Sequence, residues 1–323
     1  MKTLITTLVV ICSLLTAQQK EQLSFTAHGS NIVSLAVNSD GSTLASVGKD
    51  IDKFSVKIWK SSNGALIRTI DEDTKWIKDV AFSPDDDLIA ICSGSNTIKV
   101  IRVSDAKELL VFNDRAQNTS CLAYSPDGKM LAVGNDDNTI NFWDASNGKF
   151  IRSLAGHTDK IRTVKFSPNG EVLASGANDN SVILWNVKTG TFLRKLSSHT
   201  NAVLQVNFSL DSRYVATAGK DNVVNVWRVS TGTLLQRLDA HYSAVTGVLF
   251  SKNGNEVISG SWDGTIKIWS TQTGALLQSF SSDEEPIYSL VMPDKANYFA
   301  SSNKSGTISI WDASTIKGLS ASR

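Results

Sequence analysis

The chain has four histidines, and each is followed at fixed intervals by a hydroxyl residue, an aspartate and a tryptophan. The sets are His28, Ser46, Asp50, Trp59; His157, Ser175, Asp179, Trp185; His199, Thr217, Asp221, Trp227; and His241, Ser259, Asp263, Trp269. Histidine with serine and aspartate is the relay of a hydrolase, in which the imidazole takes the hydroxyl proton and the carboxylate orients the imidazole. Histidine with carboxylates can also hold a metal. The same types can form a purely structural chain: an indole N–H only donates, a hydroxyl relays, and an imidazole donates to a carboxylate. Repetition favours the structural chain. His157, His199 and His241 each stand 28 residues before their tryptophan, and His28 stands 31 before Trp59 because three extra residues lie near Ile51-Asp52-Lys53. A catalytic or metal site is unique in a chain, whereas this is a column of four. No Gly-x-Ser-x-Gly elbow, phosphate-binding glycine loop or zinc spacing accompanies it. No cofactor is implied.

The elements that position these residues repeat with them. Apolar runs end at Trp59, Ile101, Trp143, Trp185, Trp227, Trp269 and Trp311, each 42 residues after the last. Turn signals such as Ser125-Pro126-Asp127-Gly128 and Asn147-Gly148 recur with the same period. Between turns the runs are short and rich in Val, Ile, Leu and Phe, so each unit reads as four strands. Four strands in about 42 residues is one propeller blade. The fold expected is all-β: a seven-bladed β-propeller of four-stranded blades. After Trp311 no outer strand is evident. Glu21 to His28 matches the Leu-rich strand and Ala-His of Leu238-Asp239-Ala240-His241. The N-terminal strand is therefore expected to complete the last blade and close the ring, burying an edge that would otherwise invite aggregation.

Gly156-His157, Ser175, Asp179 and Trp185 resemble the glycine–histidine to tryptophan–aspartate signature of the WD-repeat family, and Trp143-Asp144 and Trp311-Asp312 keep its final dipeptide. The resemblance spans roughly residues 20 to 314. It implies that the four sets above are structural hydrogen-bond networks. Three blades depart from it: Asp73, Ile91, Ser95, Ile101 in the second; Arg115, Val133, Asp137, Trp143 in the third; Asp283, Ser301, Ser305, Trp311 in the seventh. These are expected to rely on apolar packing. The resemblance also implies a docking face around the channel, on the loops that carry the His and Asp columns. Outward positions there give Lys49, Trp76, Lys78, Lys160, Arg162, Trp262, Tyr288 and Lys304 as candidate partner-binding residues. Trp76 and Trp262 are the two tryptophans outside the repeat column. Aromatic anchors with cationic neighbours suit a protein or peptide carrying acidic and apolar groups.

Met1 to Ala17 differs from the rest. Lys2 precedes an apolar run from Leu4 to Leu15, and Thr16-Ala17 meets the polar Gln18-Gln19-Lys20-Glu21. That is the layout of a secretory signal peptide, too short for a membrane span. The expected organisation is a leader over 1–17, a propeller over 18–314 and a short tail over 315–323. Basic and acidic residues number 32 and 31, so composition gives no reason to expect nucleic-acid binding. Cys12 lies in the leader, and Cys92 and Cys121 sit in strand-like apolar runs, which predicts buried free thiols. The functional expectation is a secreted or periplasmic monomer acting as a non-enzymatic binding scaffold. The alternatives are a cytosolic scaffold, if the leader is not one, and an enzyme using the axial channel.

Overall fold

A computed structural model describes residues 21–314, except 52, 72–75, 117, 240 and 282–283. The leader expected over 1–17, the tail over 315–323, and the column residues Asp73 and Asp283 lie outside the described residues. All regular structure among the described residues is β: 28 strands form seven antiparallel four-stranded sheets. In blade four the strands are Ile161–Phe166, Val172–Ala177, Ser181–Asn186 and Phe192–Ser197, each pairing with the next in sequence. Turn chemistry sets these hairpins. In blades two to seven the turn after this column takes a left-handed residue, and Asn96, Asn138, Asn180, Asn222, Gly264 and Gly306 supply it, with φ from 64° to 85°.

The core lies between blades rather than within them. Each four-stranded sheet has two apolar faces and must cover both. Seven buried clusters result, each drawn from two neighbouring blades. Between blades one and two, for example, Val56, Ile58 and Ile70 meet Ile77, Ile89 and Ile91. The inner strand of blade seven, Ile287–Val291, touches the inner strands of blades six and one, so the ring is closed.

Closure comes from the N-terminus, as the sequence predicts. Glu21–Thr26 pairs antiparallel with Thr307–Asp312, matching Leu23 to Ile310 and Phe25 to Ile308. Phe25 also lies 5.2 Å from the Trp59 ring. The first strand thereby joins blade seven to blade one.

Candidate functional site

The His/Asp loops and the networks beneath them build one face of the ring. In blade four the Trp185 indole N–H donates to Ser175 Oγ (2.8 Å). That hydroxyl lies 2.8 Å from His157 Nε2, and His157 Nδ1 lies 2.8 Å from Asp179 Oδ2. Asp179 also accepts from the backbone N–H groups of Thr158 (3.0 Å) and Ser181 (3.0 Å), so it ties the loop before the inner strand to the Asp turn. Gly156 precedes the histidine because a Cβ there would stand 2.8 Å from the Trp185 ring. Blades five and six repeat the arrangement. His199 meets Asp221 at 2.9 Å and Thr217 at 2.8 Å, and His241 meets Asp263 at 3.0 Å and Ser259 at 2.8 Å. The two indoles donate to the hydroxyls at 3.1 and 2.9 Å.

Geometry sets these networks apart from a hydrolase relay. Ser46, Ser175, Thr217 and Ser259 are all fully buried, and each hydroxyl is already engaged by an indole. A nucleophile must reach its substrate; these hydroxyls face protein. Burial pushes the His157 and His241 imidazoles toward the neutral form: His157 falls below its ordinary value, and His241 falls to about 4. Among the described residues no group of three His, Cys, Asp or Glu side chains could hold a metal ion. Cys92 and Cys121 are free and buried, and burial raises both thiols well above the ordinary range.

Two expectations need correction. The first set is not a complete chain. Trp59, Ser46 and His28 connect at 2.8 Å per step, but His28 Nδ1 lies 3.6 Å from Asp50 and has no hydrogen-bond partner. The blade-one insertion lengthens the turn, and Asp50 accepts instead from Lys57 Nζ (2.9 Å) and Ser55 Oγ (2.7 Å). Burial alone would raise Asp50, but these two bonds outweigh it and hold the carboxyl at about 2. Burial, helped by Lys57, lowers His28 to about 4.

Blade three, in turn, does not rely on apolar packing alone. Asp114, one residue before the expected column, is buried. It accepts from the Trp143 indole (2.8 Å), Asn141 Nδ2 (2.6 Å) and the Ala116 N–H (2.9 Å). Arg115, the residue in the column itself, stacks over Phe150 at 3.7 Å. Blade seven keeps a remnant, with Trp311 donating to Ser301 at 2.9 Å. In blade two, Ile91 and Ile101 are buried and apolar, as expected.

Sequence reasoning also missed fasteners between blades. Asp79 replaces the small or neutral residues found at its position in other inner strands. It accepts from Ser34 Oγ of blade one (2.6 Å) and the Leu122 N–H of blade three (3.0 Å). Burial raises its carboxyl above the ordinary value. On the outer strands a donor reaches the next blade's turn: Arg68 to Ser104 O (2.8 Å), Arg152 to Lys188 O (3.0 Å), Arg194 to Ser230 O, and Gln236 to Gln272 O (2.8 Å). Donors at 152, 194 and 236 share the 42-residue period, a signal available in the sequence.

On the loop face, Trp76 is 59% and Trp262 40% exposed, large areas for residues outside the core. Trp262 and Tyr288 pair across blades six and seven, with centroids 6.1 Å apart. Trp76 leans on Phe54 of blade one (5.6 Å), with Lys78 Nζ 5.6 Å from its ring. Lys49 and Lys304 are exposed. Lys160 is bound to Asp136 (2.9 Å) and Arg162 to Asn178 (2.7 Å).

The WD domain, G-beta repeat, matches residues 19–60, 148–186, 190–228, 232–270 and 274–312, more than half of the chain. The chain belongs to the WD-repeat family. A second match, to the WD40 domain of anaphase-promoting complex subunit 4, covers residues 80–163. The G-beta matches omit blades two and three, where Ile91, Ile101 and Val133 occupy network columns of the WD repeat. No curated protein matches the chain. Among the described residues no helix is long and apolar enough to cross a membrane. WD-repeat propellers are in general protein-interaction scaffolds.

Proposed function

We propose that this WD-repeat protein is an exported, non-enzymatic scaffold that holds a protein or peptide on its His/Asp-loop face. The observation that carries the reading is the 40% exposed Trp262 paired with the half-buried Tyr288, with Trp76 and Lys78 as a second aromatic–cation group on the same face. None of these side chains serves the blade networks, and exposed aromatics with cationic neighbours are typical anchors of a bound partner. Fully buried hydroxyls in the networks support a non-enzymatic role. Export rests on the leader layout of Met1 to Ala17. The test is affinity capture with the chain beginning at Gln18. Trp262→Ala with Tyr288→Ala should abolish capture without lowering the melting temperature by more than a degree or so. Undiminished capture would move the site to the opposite face or the rim. Sequencing the N-terminus of the natural product checks export: a start at Gln18 supports it, and a retained Met1 contradicts it.

A further inference from the structure

The ring has a second face. Strand direction alternates, so the Ser-Pro-Asn-Gly turn and the turn before each outer strand lie opposite the His/Asp loops. There the groove between blades four and five opens into a cavity of about 380 Å³, an ordinary size for a small-molecule site. Every residue lining it is described. Three arginines line it: Arg194 from the outer strand of blade four, Arg213 just before the second strand of blade five, and Arg228 at the end of its third. Arg194 donates to Ser230 O. Arg213 and Arg228 are uncommitted. Their guanidinium groups lie 5.6 and 6.0 Å from the Tyr214 ring, and neither has an ion pair or side-chain hydrogen bond among the described residues. The repeat does not require this pair. In blades two and three the same two columns hold opposite charges, Asp87 with Arg102 and Lys129 with Asp144, and only blade five holds two cations. Two acids share the cavity, Glu171 and Asp211. Asp211 Oδ1 accepts from the Ser209 hydroxyl (2.6 Å) and the Arg213 backbone N–H (3.0 Å), and Glu171 Oε2 accepts from Asn169 Nδ2 (3.1 Å). Each keeps a second carboxylate oxygen open. Across Ile161 to Asp239, a stretch described in full, nine lysines and arginines stand against five acids, and two of those acids, Asp179 and Asp221, are bound to histidines on the far face.

We propose that this cavity binds a sugar carrying a tetrahedral oxyanion, as a phosphate or sulfate ester. Arg213 and Arg228, with Arg194 beside them, hold the oxyanion, because planar guanidinium forks match its oxygens. The open oxygens of Glu171 and Asp211 accept from sugar hydroxyls. Val172, Val229 and the 40% exposed Leu193 give the C–H face of the sugar an apolar wall. The mixed lining selects the ligand. A bare anion gains from the arginines but is repelled by the two carboxylates. A neutral sugar satisfies the carboxylates and leaves two guanidinium groups without an anion. A molecule with both groups uses both. This site lies on the face opposite the His/Asp loops and does not depend on how those loops are read.

The probes are glucose 6-phosphate and glucose 6-sulfate, with glucose, inorganic phosphate and inorganic sulfate as counter-probes. Isothermal titration calorimetry should show at least one ester binding at least about tenfold more tightly than glucose or its own inorganic anion. Which ester binds identifies the oxyanion. Arg213→Gln with Arg228→Gln should weaken that ester at least about tenfold, and Lys220→Gln, on the loop face of the same blade, less than about twofold. Glu171→Gln should weaken the ester and leave the inorganic anion no weaker. These side chains are exposed or half-buried, and an unchanged melting temperature confirms that each variant folds. Absence of ester binding, or an equal loss from Lys220→Gln, would overturn the site. An inorganic anion bound as tightly as its ester, or an ester indifferent to Glu171→Gln, would overturn the sugar.

Discussion

Asp179→Ala and Asp50→Ala occupy one repeat column but should differ severalfold in cost. The Asp179 side chain is 4% exposed and accepts four hydrogen bonds, one from an imidazole that is itself 1% exposed. Removing the carboxylate leaves His157 Nδ1–H with only the Ser181 hydroxyl, 3.4 Å away. Buried donors left without partners cost about 1–3 kcal/mol each. Thr158 N–H is exposed and can turn to water, so a total of about 2–4 kcal/mol is expected. Asp50 is 30% exposed, and its distance from His28 is already 3.6 Å. Its main partner, Lys57, can be hydrated, so the loss should be about 0.5–1.5 kcal/mol. For a chain of this size roughly 1 kcal/mol moves the melting temperature by about 2 °C. Differential scanning calorimetry should therefore show falls of about 4–8 °C for Asp179→Ala and about 1–3 °C for Asp50→Ala. Asp105→Ala, in an exposed turn with Arg102, is the control and should move it by less than about 1 °C. Equal falls for the two column variants would refute the claim that the imidazole–carboxylate bond separates them.

Stability should fall as pH drops from about 6.5 to about 4. In that window the unfolded chain protonates His28 and His241 while the folded chain, with both held near 4, does not. The raised carboxyls of Asp79 and Asp114 oppose part of this slope. A thermal-melt series in which His28→Gln leaves the slope unchanged would contradict the assignment. Deleting Glu21–Thr26 should expose the Thr307–Asp312 edge and remove Phe25 from Trp59, giving insoluble protein or a melting temperature lowered by at least about 10 °C; a normal melt would mean that another strand closes the ring. Asp114→Ala should cost about 2–4 kcal/mol by chemical denaturation, because it orphans the Trp143 indole and the Asn141 amide together; a cost as small as that of Asp105→Ala would show that blade three is held by packing alone. Asp79→Ala should raise hydrogen exchange at Leu122 and in the inner strand Ile77–Phe82 before the remaining blades respond, and protection unchanged there would deny the link between blades one, two and three.

The blade number and strand order were legible because a 42-residue period leaves little freedom once turns and apolar runs share it. The closing strand was legible because Leu-rich residues followed by Ala-His appear at the N-terminus without a preceding blade. Columns do not report loop shape, and there the reading failed. Asp114 was missed because it precedes its column by one residue, and only the fold of that loop carries its carboxylate back to Trp143. Asp50 was taken as equivalent to Asp179 because spacing ignores what an insertion does to direction; the longer turn keeps the bond to Ser55 and loses the one to His28. The pairing of Trp262 with Tyr288 follows from adjacent blades, but that Lys160 and Arg162 are spent on Asp136 and Asn178 does not.

The blades that depart from the family pattern are held by other means, and this bears on where binding can reside. Blade two has Ile91 and Ile101 where five of the other blades have a hydroxyl and all of them an indole. It gains in exchange the Asp79 link to both neighbours and, through Trp76, a contact with Phe54 of blade one. Blade three replaces imidazole with the Asp114 carboxylate. In blade three the Trp143 indole and the Asn141 amide thereby keep a buried acceptor. The loop residues above them are therefore free to vary without loosening the ring. Trp76 is the exception, since it both packs on Phe54 and exposes more than half of its surface. A residue that is anchored on one side and bare on the other loses little conformational freedom when a partner covers it, and preorganisation of that kind favours affinity. The same reasoning applies to Trp262, held by Tyr288. The two tryptophans outside the repeat are thus fixed in place by the scaffold and left uncovered by it.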